Sequence, residues 1–154
     1  MILDTSAIIA ILIGEPERES FLDAMGSSSN IAISAGSMIE LSAVITRKLG
    51  DGYVAPAELL LSELDIRIEP VSEAQARIGW RAYQDYGIGT GHAAKLNFGD
   101  CFAYALAKVT GEPLLFKGDD FTHTDIVPAL TPPPPRADPG PAARRATGNT
   151  SGNR

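Results

Sequence analysis

The sequence predicts an α/β protein in which a mostly parallel β-sheet is covered by helices on both faces. Short apolar runs alternate along the chain with longer segments that have helical periodicity. Turn residues, above all glycine, separate the two kinds of segment. Because strands that alternate with helices favour a parallel sheet with helices on both sides, we expect an α/β/α architecture.

The chain is expected to begin with a strand and two helices. Met1–Leu3 is a short apolar run that forms the first strand. A buried helix over Ser6–Ile13 is expected to end at Gly14. Pro16 suits the first turn of a second helix, which reaches Met25.

A second strand and two further helices are expected next. Ile31–Ser34 has the alternation of a short strand. Ser37 is expected to open a helix that runs through Leu49. Another helix is expected over Pro56–Leu64.

The segment that follows predicts an edge strand and a capped helix. Ile66–Val71 alternates as a strand, and Pro70 places it near an edge of the sheet because proline has no N–H to donate. Ser72 and Gln75 have the spacing of a capping box for a helix that ends near Tyr86.

The last elements are a helix and one or two strands. Asn97 is expected to cap a helix that ends at Gly111. Leu114–Phe116 is expected to form a strand, and Ile126–Val127 is a candidate for one more.

Residues 131–154 differ in composition from the rest of the chain. They are rich in proline, glycine, alanine, serine and threonine. Such a segment buries too little apolar surface to offset the entropy lost on ordering. We therefore expect one folded domain over residues 1–130 and a disordered Pro/Arg-rich tail over residues 131–154. The tail is either a dispensable extension or a basic arm that contacts nucleic acid.

The charge is unevenly distributed. The whole chain carries a net charge of −6. The tail holds four arginines and one aspartate, so residues 1–130, with nine basic and eighteen acidic side chains, carry −9. An acidic domain argues against strong nonspecific binding of nucleic acid. It is compatible with a metal site built from carboxylates and with a basic partner.

Nothing in the sequence indicates a membrane protein. No apolar run approaches the roughly 20 residues that a membrane-spanning helix needs. The longest run, Ala7–Ile13, lacks the basic flank of a signal peptide. The single cysteine, Cys101, cannot form an intrachain disulfide. We therefore expect no membrane contact and a cytoplasmic location.

Four acidic side chains are expected at the carboxyl ends of the strands, where sites lie in open α/β sheets. Asp4 directly follows the first strand, and Asp119 follows the Leu114–Phe116 strand after a Lys-Gly turn. Glu40 and Asp100 lie in the first turns of two predicted helices. All four are expected to converge on one edge of the sheet.

Each acid also has a local explanation. Glu40 and Asp100 stand at the last position of capping-box patterns. Asp4 and Asp119 are plausible turn residues. These roles do not explain why Asp4 stands between an apolar strand and an apolar helix. A carboxylate in that place needs a partner, and a cation is a suitable one.

Four carboxylates in one place repel each other unless a cation lies among them or some are protonated. Hard oxygen ligands select Mg²⁺, with Mn²⁺ as a substitute. Such an ion orients a phosphate, lowers the pKa of an attacking water and stabilises the leaving oxygen. The hydroxyls of Thr5 and Ser6 either cap the first helix or hold the Asp4 carboxylate or a metal-bound water. The two histidines, His92 and His123, leave little room for a zinc site.

Four segments resemble, in order, the motifs of PIN-domain ribonucleases of the VapC toxin type. Met1–Ala7 (MILDTSA) resembles the first motif and Ile39–Leu41 the second. Leu96–Ala107 (LNFGDCFAYALA) resembles the third and is the most specific match. Pro113–Phe121, followed by Thr124–Ile126, resembles the fourth. Together the four segments span the predicted domain.

The resemblance implies a PIN-like fold and an endoribonuclease that hydrolyses RNA phosphodiester bonds with Mg²⁺. Asp4 and Asp100 match the principal metal ligands, and Glu40 matches the acid that completes the site or positions the water. Asp119 matches the fourth acid, with Asp120 beside it as the other candidate. The resemblance also implies a homodimer, and inhibition by a cognate VapB-like antitoxin that often uses arginine. The C-terminal extension departs from the usual compact ending of this family.

Rival interpretations agree less well with the residues. A haloacid-dehalogenase-like phosphatase needs a second aspartate at the position of Ser6, and a receiver domain needs an acidic pair before its phosphorylated aspartate. A noncatalytic PIN-like module that binds RNA or protein has no need of four mutually repelling carboxylates.

Two further sets of residues are candidates for contacts. The lone cations that could contact phosphates, although such residues are usually solvated, are Lys95, Lys117, Arg47 and Lys48. Trp80, Tyr83 and Tyr86 share helical spacing and are expected in the core or in a dimer interface.

Overall fold

A computed structural model describes residues 1–131 of the chain. The helices and strands in chain order are β1 (Ile2–Leu3), α1 (Thr5–Leu12), α2 (Arg18–Gly26), β2 (Ala32–Ser34), α3 (Ala35–Val44), α4 (Val54–Glu63), β3 (Arg67–Glu69), α5 (Glu73–Tyr86), α6 (Asp100–Thr110) and β4 (Leu114–Leu115). A π-helical turn over Ile45–Leu49 follows α3, and 3-10 turns span Asp51–Tyr53 and Asp120–His123. Beyond Thr131, the predicted tail lies outside the described residues.

The four strands form a parallel sheet in the order β3-β2-β1-β4. This arrangement confirms the predicted α/β/α fold, and β3 lies at an edge, as Pro70 indicated. Beyond β4, Leu114 forms a single parallel bridge to Pro128. The candidate strand at Ile126–Val127 is therefore reduced to one bridge within the described part of the chain.

Each face of the sheet has its own hydrophobic core. In β1 the side chains alternate, so that Met1 and Leu3 pack on one face and Ile2 on the other. Helices α1, α2 and α4 cover the first face, and α6 with part of α5 covers the second. None of the helices within residues 1–131 is long and apolar enough to cross a membrane.

The prediction that Ser37 opens the third helix is wrong. Strand β2 runs directly into α3, and Ser34 is the N-cap residue, whose Oγ accepts a hydrogen bond from the N–H of Gly36 at 3.2 Å. Ser37 therefore lies inside the helix and is fully buried. Because no loop separates the strand from the helix, the cap stands three residues earlier than the local pattern suggested. Glu40 consequently lies in the second turn and has no role in capping.

The hydrogen bonds of two other predicted capping patterns are present, although α6 itself begins at Asp100 and its N-cap residue is Gly99. The Ser72 side chain accepts a hydrogen bond from the N–H of Gln75 at 3.2 Å at the start of α5. Before α6, Asn97 and Asp100 cap each other: the Asn97 Oδ1 accepts from the Asp100 N–H at 3.1 Å, and the Asp100 Oδ2 accepts from the Asn97 N–H at 2.6 Å. Short-range capping patterns thus hold where a loop precedes the helix.

Candidate active site

The Asp4 carboxylate is buried where β1 passes into α1, with only 3 % of the residue exposed. Its Oδ2 accepts hydrogen bonds from the Ser6 N–H at 2.9 Å and the Ser6 hydroxyl at 2.6 Å. The Ser6 Oγ in turn accepts from the Lys117 N–H at 2.9 Å, which ties this corner to the end of β4. The other oxygen, Oδ1, is buried and has no hydrogen-bond partner among residues 1–131. One oxygen of Asp4 is thus held in place and the other is left free.

Burial raises the pKa of Asp4, against the lowering effect of the hydrogen bonds from Ser6. The negative charge of Asp120 raises it further. An unpaired, desolvated carboxylate oxygen of this kind is stable as an anion only beside a cation.

Glu40 approaches Asp4 from α3. Its Oε2 accepts a hydrogen bond from the Thr5 hydroxyl at 2.8 Å, so Thr5 links α1 to α3. Burial raises the pKa of Glu40, and so does the charge of Asp4. The Thr5 and Ser6 hydroxyls therefore hold carboxylates, while the Asp4 side chain itself caps α1.

Gly99 is a site residue that the sequence did not reveal. Its backbone has ordinary helical dihedrals, so conformational freedom is not the reason for glycine here. A Cβ at this position would overlap the carboxylate of Glu40. The absence of a side chain on Gly99 therefore lets Glu40 lie against the start of α6.

Asp100 is the first residue of α6 and is 7 % exposed. Its Oδ2 is engaged by the Asn97 N–H, as described above. Burial is the main effect that raises its pKa to about 7, the charges of Asp4 and Glu40 add to it, and the Asn97 N–H opposes it. Asp100 therefore gains or loses its proton near neutral pH when no cation is present.

The two adjacent acids Asp119 and Asp120 have different surroundings. Asp119 precedes the short 3-10 turn, and its carbonyl oxygen accepts hydrogen bonds from the Thr122 N–H at 3.0 Å and hydroxyl at 2.6 Å. The charge of Asp120 contributes to the raised pKa of both Asp4 and Asp100. Asp120 is therefore a candidate for the fourth acid beside Asp119, because its negative charge acts on the two buried aspartates.

The donor set fits a hard divalent cation held by few protein ligands. Within residues 1–131, no three carboxylate, imidazole or thiol side chains are close enough together to hold a metal ion between them. Mg²⁺ commonly binds through one or two carboxylates and keeps several waters, so a complete protein cage is not required. The free Oδ1 of Asp4 and the carboxyl group of Asp100 are two candidate ligands of this kind.

The lone cations and the aromatic residues are now placed. Lys117 forms ion pairs with Glu15 and Glu17, so it is not free to bind phosphate.

Trp80 is 71 % exposed, which excludes it from the core. Tyr86 is partly buried and packs against Tyr104, with ring centroids 5.8 Å apart. These aromatic residues were expected in the core or in a dimer interface. Tyr86 belongs to the core, whereas Trp80 lies on the surface.

A family model described as the PIN domain matches residues 1–127. The chain is 50 % identical over 131 residues to Ribonuclease VapC42 of Mycobacterium tuberculosis, which covers 85 % of this chain and 100 % of that protein. It is 45 % identical to Ribonuclease VapC28 of the same organism, which covers 84 % of this chain and 98 % of that protein.

Solved structures with the same fold include two proteins of toxin–antitoxin systems. The crystal structure of Mycobacterium tuberculosis VapC20, described as a Sarcin-Ricin loop cleaving toxin, aligns with a TM-score of 0.66 at 17 % identity and covers 85 % of this chain and 98 % of that one. A toxin–antitoxin complex from Klebsiella pneumoniae aligns with a TM-score of 0.61 at 20 % identity, covering 84 % and 97 %. At these identities the likeness supports the fold alone.

Proposed function

This chain belongs to the PIN-domain family and is a ribonuclease of the VapC type, and from that premise we propose that it is a cytoplasmic, Mg²⁺-dependent endoribonuclease toxin. It hydrolyses phosphodiester bonds of RNA with Asp4, Glu40, Asp100 and a fourth acid, for which we propose Asp120, with Asp119 as the alternative. Asp4 and Asp100 hold the metal, and Mn²⁺ can replace Mg²⁺.

The observation that best supports this proposal is the free Oδ1 of Asp4. A buried carboxylate oxygen without a donor is unfavourable in a protein that binds no cation. The raised pKa of Asp100, about 7, indicates the same lack of positive charge. A divalent ion held by Asp4 and Asp100 would remove both features, because a bound cation lowers the pKa of neighbouring carboxylates.

Glu40, Thr5 and Ser6 have separate roles beside the metal. Mg²⁺, when bound, orients a phosphate, lowers the pKa of an attacking water and stabilises charge on the leaving oxygen. Glu40 would position that water or accept a proton from it, and burial raises its pKa toward the range that suits a general base. The Thr5 hydroxyl holds the Glu40 carboxylate in place, and Ser6 does the same for Asp4.

The test is RNA cleavage by purified, metal-stripped protein after addition of Mg²⁺ or Mn²⁺. We expect wild-type protein to cleave, and Asp4→Asn to lose the activity. Asp120→Asn is expected to weaken cleavage at least about tenfold, since carboxylates that surround a metal site without binding the metal directly have effects of that size. The adjacent Asp119→Asn is the matched control and should stay near wild type.

Two outcomes would contradict parts of this proposal. Equal cleavage by wild type and Asp4→Asn would place the activity elsewhere or in a contaminant. No Mn²⁺ binding by calorimetry, together with no cleavage, would favour the alternative function, a noncatalytic PIN-like module that binds RNA or protein.

We also propose a cognate VapB-like antitoxin as a partner. The net charge of −9 on residues 1–130 supports a basic inhibitory segment. Addition of one equivalent of the antitoxin is expected to suppress the cleavage measured above.

Homodimerisation is the last part of the proposal, and an apolar surface beside the site supports it. We call this surface the aromatic face; Trp80, Tyr83 and Phe98 line one groove in it, and Ile39 on α3 is a further exposed apolar side chain. Ile39, Trp80 and Phe98 are 73 %, 71 % and 75 % exposed. At these exposures the three side chains offer roughly 400 Å² of apolar surface. That is about half of the ~800 Å² per partner that a stable interface buries.

A single charge on the aromatic face is expected to produce monomers. Trp80→Glu would place a carboxylate in the centre of the proposed interface, and we expect sedimentation velocity to show half the wild-type mass. Leu59→Glu is the matched control, because Leu59 is 60 % exposed but lies on α4, on the other face of the sheet. A wild-type protein that sediments as a monomer at micromolar concentration would argue against the dimer.

A further inference from the structure

Lys95 is a charged residue with an unusual backbone, close in the chain to the acidic site. Its φ is +54°, and the only other non-glycine residue with a positive φ among residues 1–131 is Asp65. An L-residue in the left-handed region is strained by its own Cβ, and such strain tends to persist at functional positions. In the same loop Gly89 and Gly91 also have positive φ, but there glycine removes the strain.

The segment that carries Lys95 is fixed on both sides. Ala94 and Leu96 are fully buried. The Leu96 N–H donates to the Tyr86 carbonyl at 2.9 Å, and the Leu96 carbonyl accepts from the Ile88 N–H at 3.0 Å. Lys95 is therefore an exposed side chain on an anchored backbone, and not part of a loose loop.

Within residues 1–131 the Lys95 ammonium has no counter-ion. Five of the nine cations in residues 1–131 form ion pairs with acidic side chains, and these are Arg18, Arg67, Arg77, Lys108 and Lys117. Lys95 forms no ion pair or hydrogen bond through its side chain within the described residues. Lys95 lies close to the acidic site, because Asn97, two residues further along the chain, donates its N–H to the Asp100 carboxylate at 2.6 Å.

From this placement we infer that Lys95 is an RNA-binding residue, whose ammonium holds a backbone phosphate beside the one that is cleaved. The inference rests on the proposed ribonuclease function and adds to it a contact with the substrate. A domain of net charge −9 repels RNA, so a free cation held at the edge of the acidic site supplies local attraction where the substrate must approach. The strained backbone is retained because glycine, which would relieve it, cannot supply the charge.

The test compares Lys95→Gly with Lys95→Arg and Asp65→Gly. Lys95→Gly removes both the charge and the strain, and Lys95→Arg keeps the charge. Asp65→Gly relieves the same kind of backbone strain, at the turn before β3, where it lies at the opposite edge of the sheet. The probe is a fluorescein-labelled single-stranded RNA of mixed sequence. Binding is followed by anisotropy in Ca²⁺ over a range of salt, and gels confirm that the RNA stays intact.

We expect Lys95→Gly to melt no lower than wild type and to bind RNA more weakly. Loss of one phosphate contact reduces the slope of log K against log salt by about 0.7, which corresponds to about fivefold weaker binding at ~0.1 M salt. Lys95→Arg and Asp65→Gly should keep the wild-type slope. If Lys95→Gly melts lower than expected, Lys95→Asn takes its place, since asparagine also tolerates the left-handed region.

An unchanged salt slope in a folded, charge-free variant would overturn this inference and leave the proposed function intact. An equal loss in Asp65→Gly would also overturn it, because the cause would then be backbone relief. Wild-type protein that does not bind the probe would instead contradict the proposed function, and this inference with it.

Discussion

Asp100→Asn is expected to abolish metal-dependent RNA cleavage and to make the metal-free protein more stable at pH 8. The amide oxygen can still accept the hydrogen bond from the Asn97 N–H, so the cap of α6 survives the change. The variant loses a negative charge that is buried and repelled by Asp4 and Glu40. We expect a loss of more than about a hundredfold in cleavage, because a proposed metal ligand is removed.

The stability of this variant is the more discriminating measurement. Removal of the desolvated charge should raise the free energy of unfolding by about 1–3 kcal/mol in EDTA at pH 8. Asp85→Asn is the control, since Asp85 is an exposed aspartate on α5. Mg²⁺ should raise the melting temperature of wild type and of Asp85→Asn, but not that of Asp100→Asn. A variant that keeps most of the wild-type cleavage would show that Asp100 is not a metal ligand.

The metal-free protein is expected to become less stable as the pH rises from about 4 to about 7. The folded pKa of Asp100 is about 7, whereas an unperturbed aspartate titrates near 3.9. Between these values the folded state binds a proton that the unfolded state does not, so stability is highest at the acidic end and is lost as the pH rises through the folded pKa. The raised pKa values of Asp4 and Glu40 act in the same direction.

The measurement is urea unfolding at several pH values between 5 and 8, in EDTA and in Mg²⁺. At about 1.4 kcal/mol per pKa unit, we expect a loss on the order of 2–4 kcal/mol across this range in EDTA. Mg²⁺ should flatten the dependence, because it binds the deprotonated carboxylates. Asp100→Asn should also flatten it. Stability in EDTA that rises with pH over this window would mean that the buried acids are already compensated without a cation.

Much of the fold follows from short stretches of sequence. The edge position of β3 follows from Pro70, which cannot donate to a neighbouring strand. The caps at Ser72 and Asn97 follow from hydrogen bonds that span three residues. The buried Asp4 was also expected, because it stands between an apolar strand and an apolar helix. Each of these features depends on residues that are close together in the chain, so the sequence is enough to predict it.

Other features depend on the distance between residues that are far apart in the chain. The helix start at Ser34 and the position of Glu40 in the second turn follow from the way β2 enters α3, which the capping pattern at Ser37 concealed. The contact between Glu40 and Gly99 joins two helices that the sequence separates by a whole α/β segment.

Local sequence patterns were enough to predict an α/β domain with acids at the carboxyl ends of its strands. Hydrophobic periodicity, helix caps and turn residues depend on a few neighbouring positions, so they can be recognised from the sequence alone. Tertiary contacts were needed to show that Ser34 rather than Ser37 caps α3, that Trp80 is exposed, and that Lys95 is strained and has no ion pair within residues 1–131. Burial, backbone strain and the interactions between charges depend on how the helices pack on the sheet. This packing brings together residues that are far apart in the chain, and their separation in sequence does not reveal the distance between them.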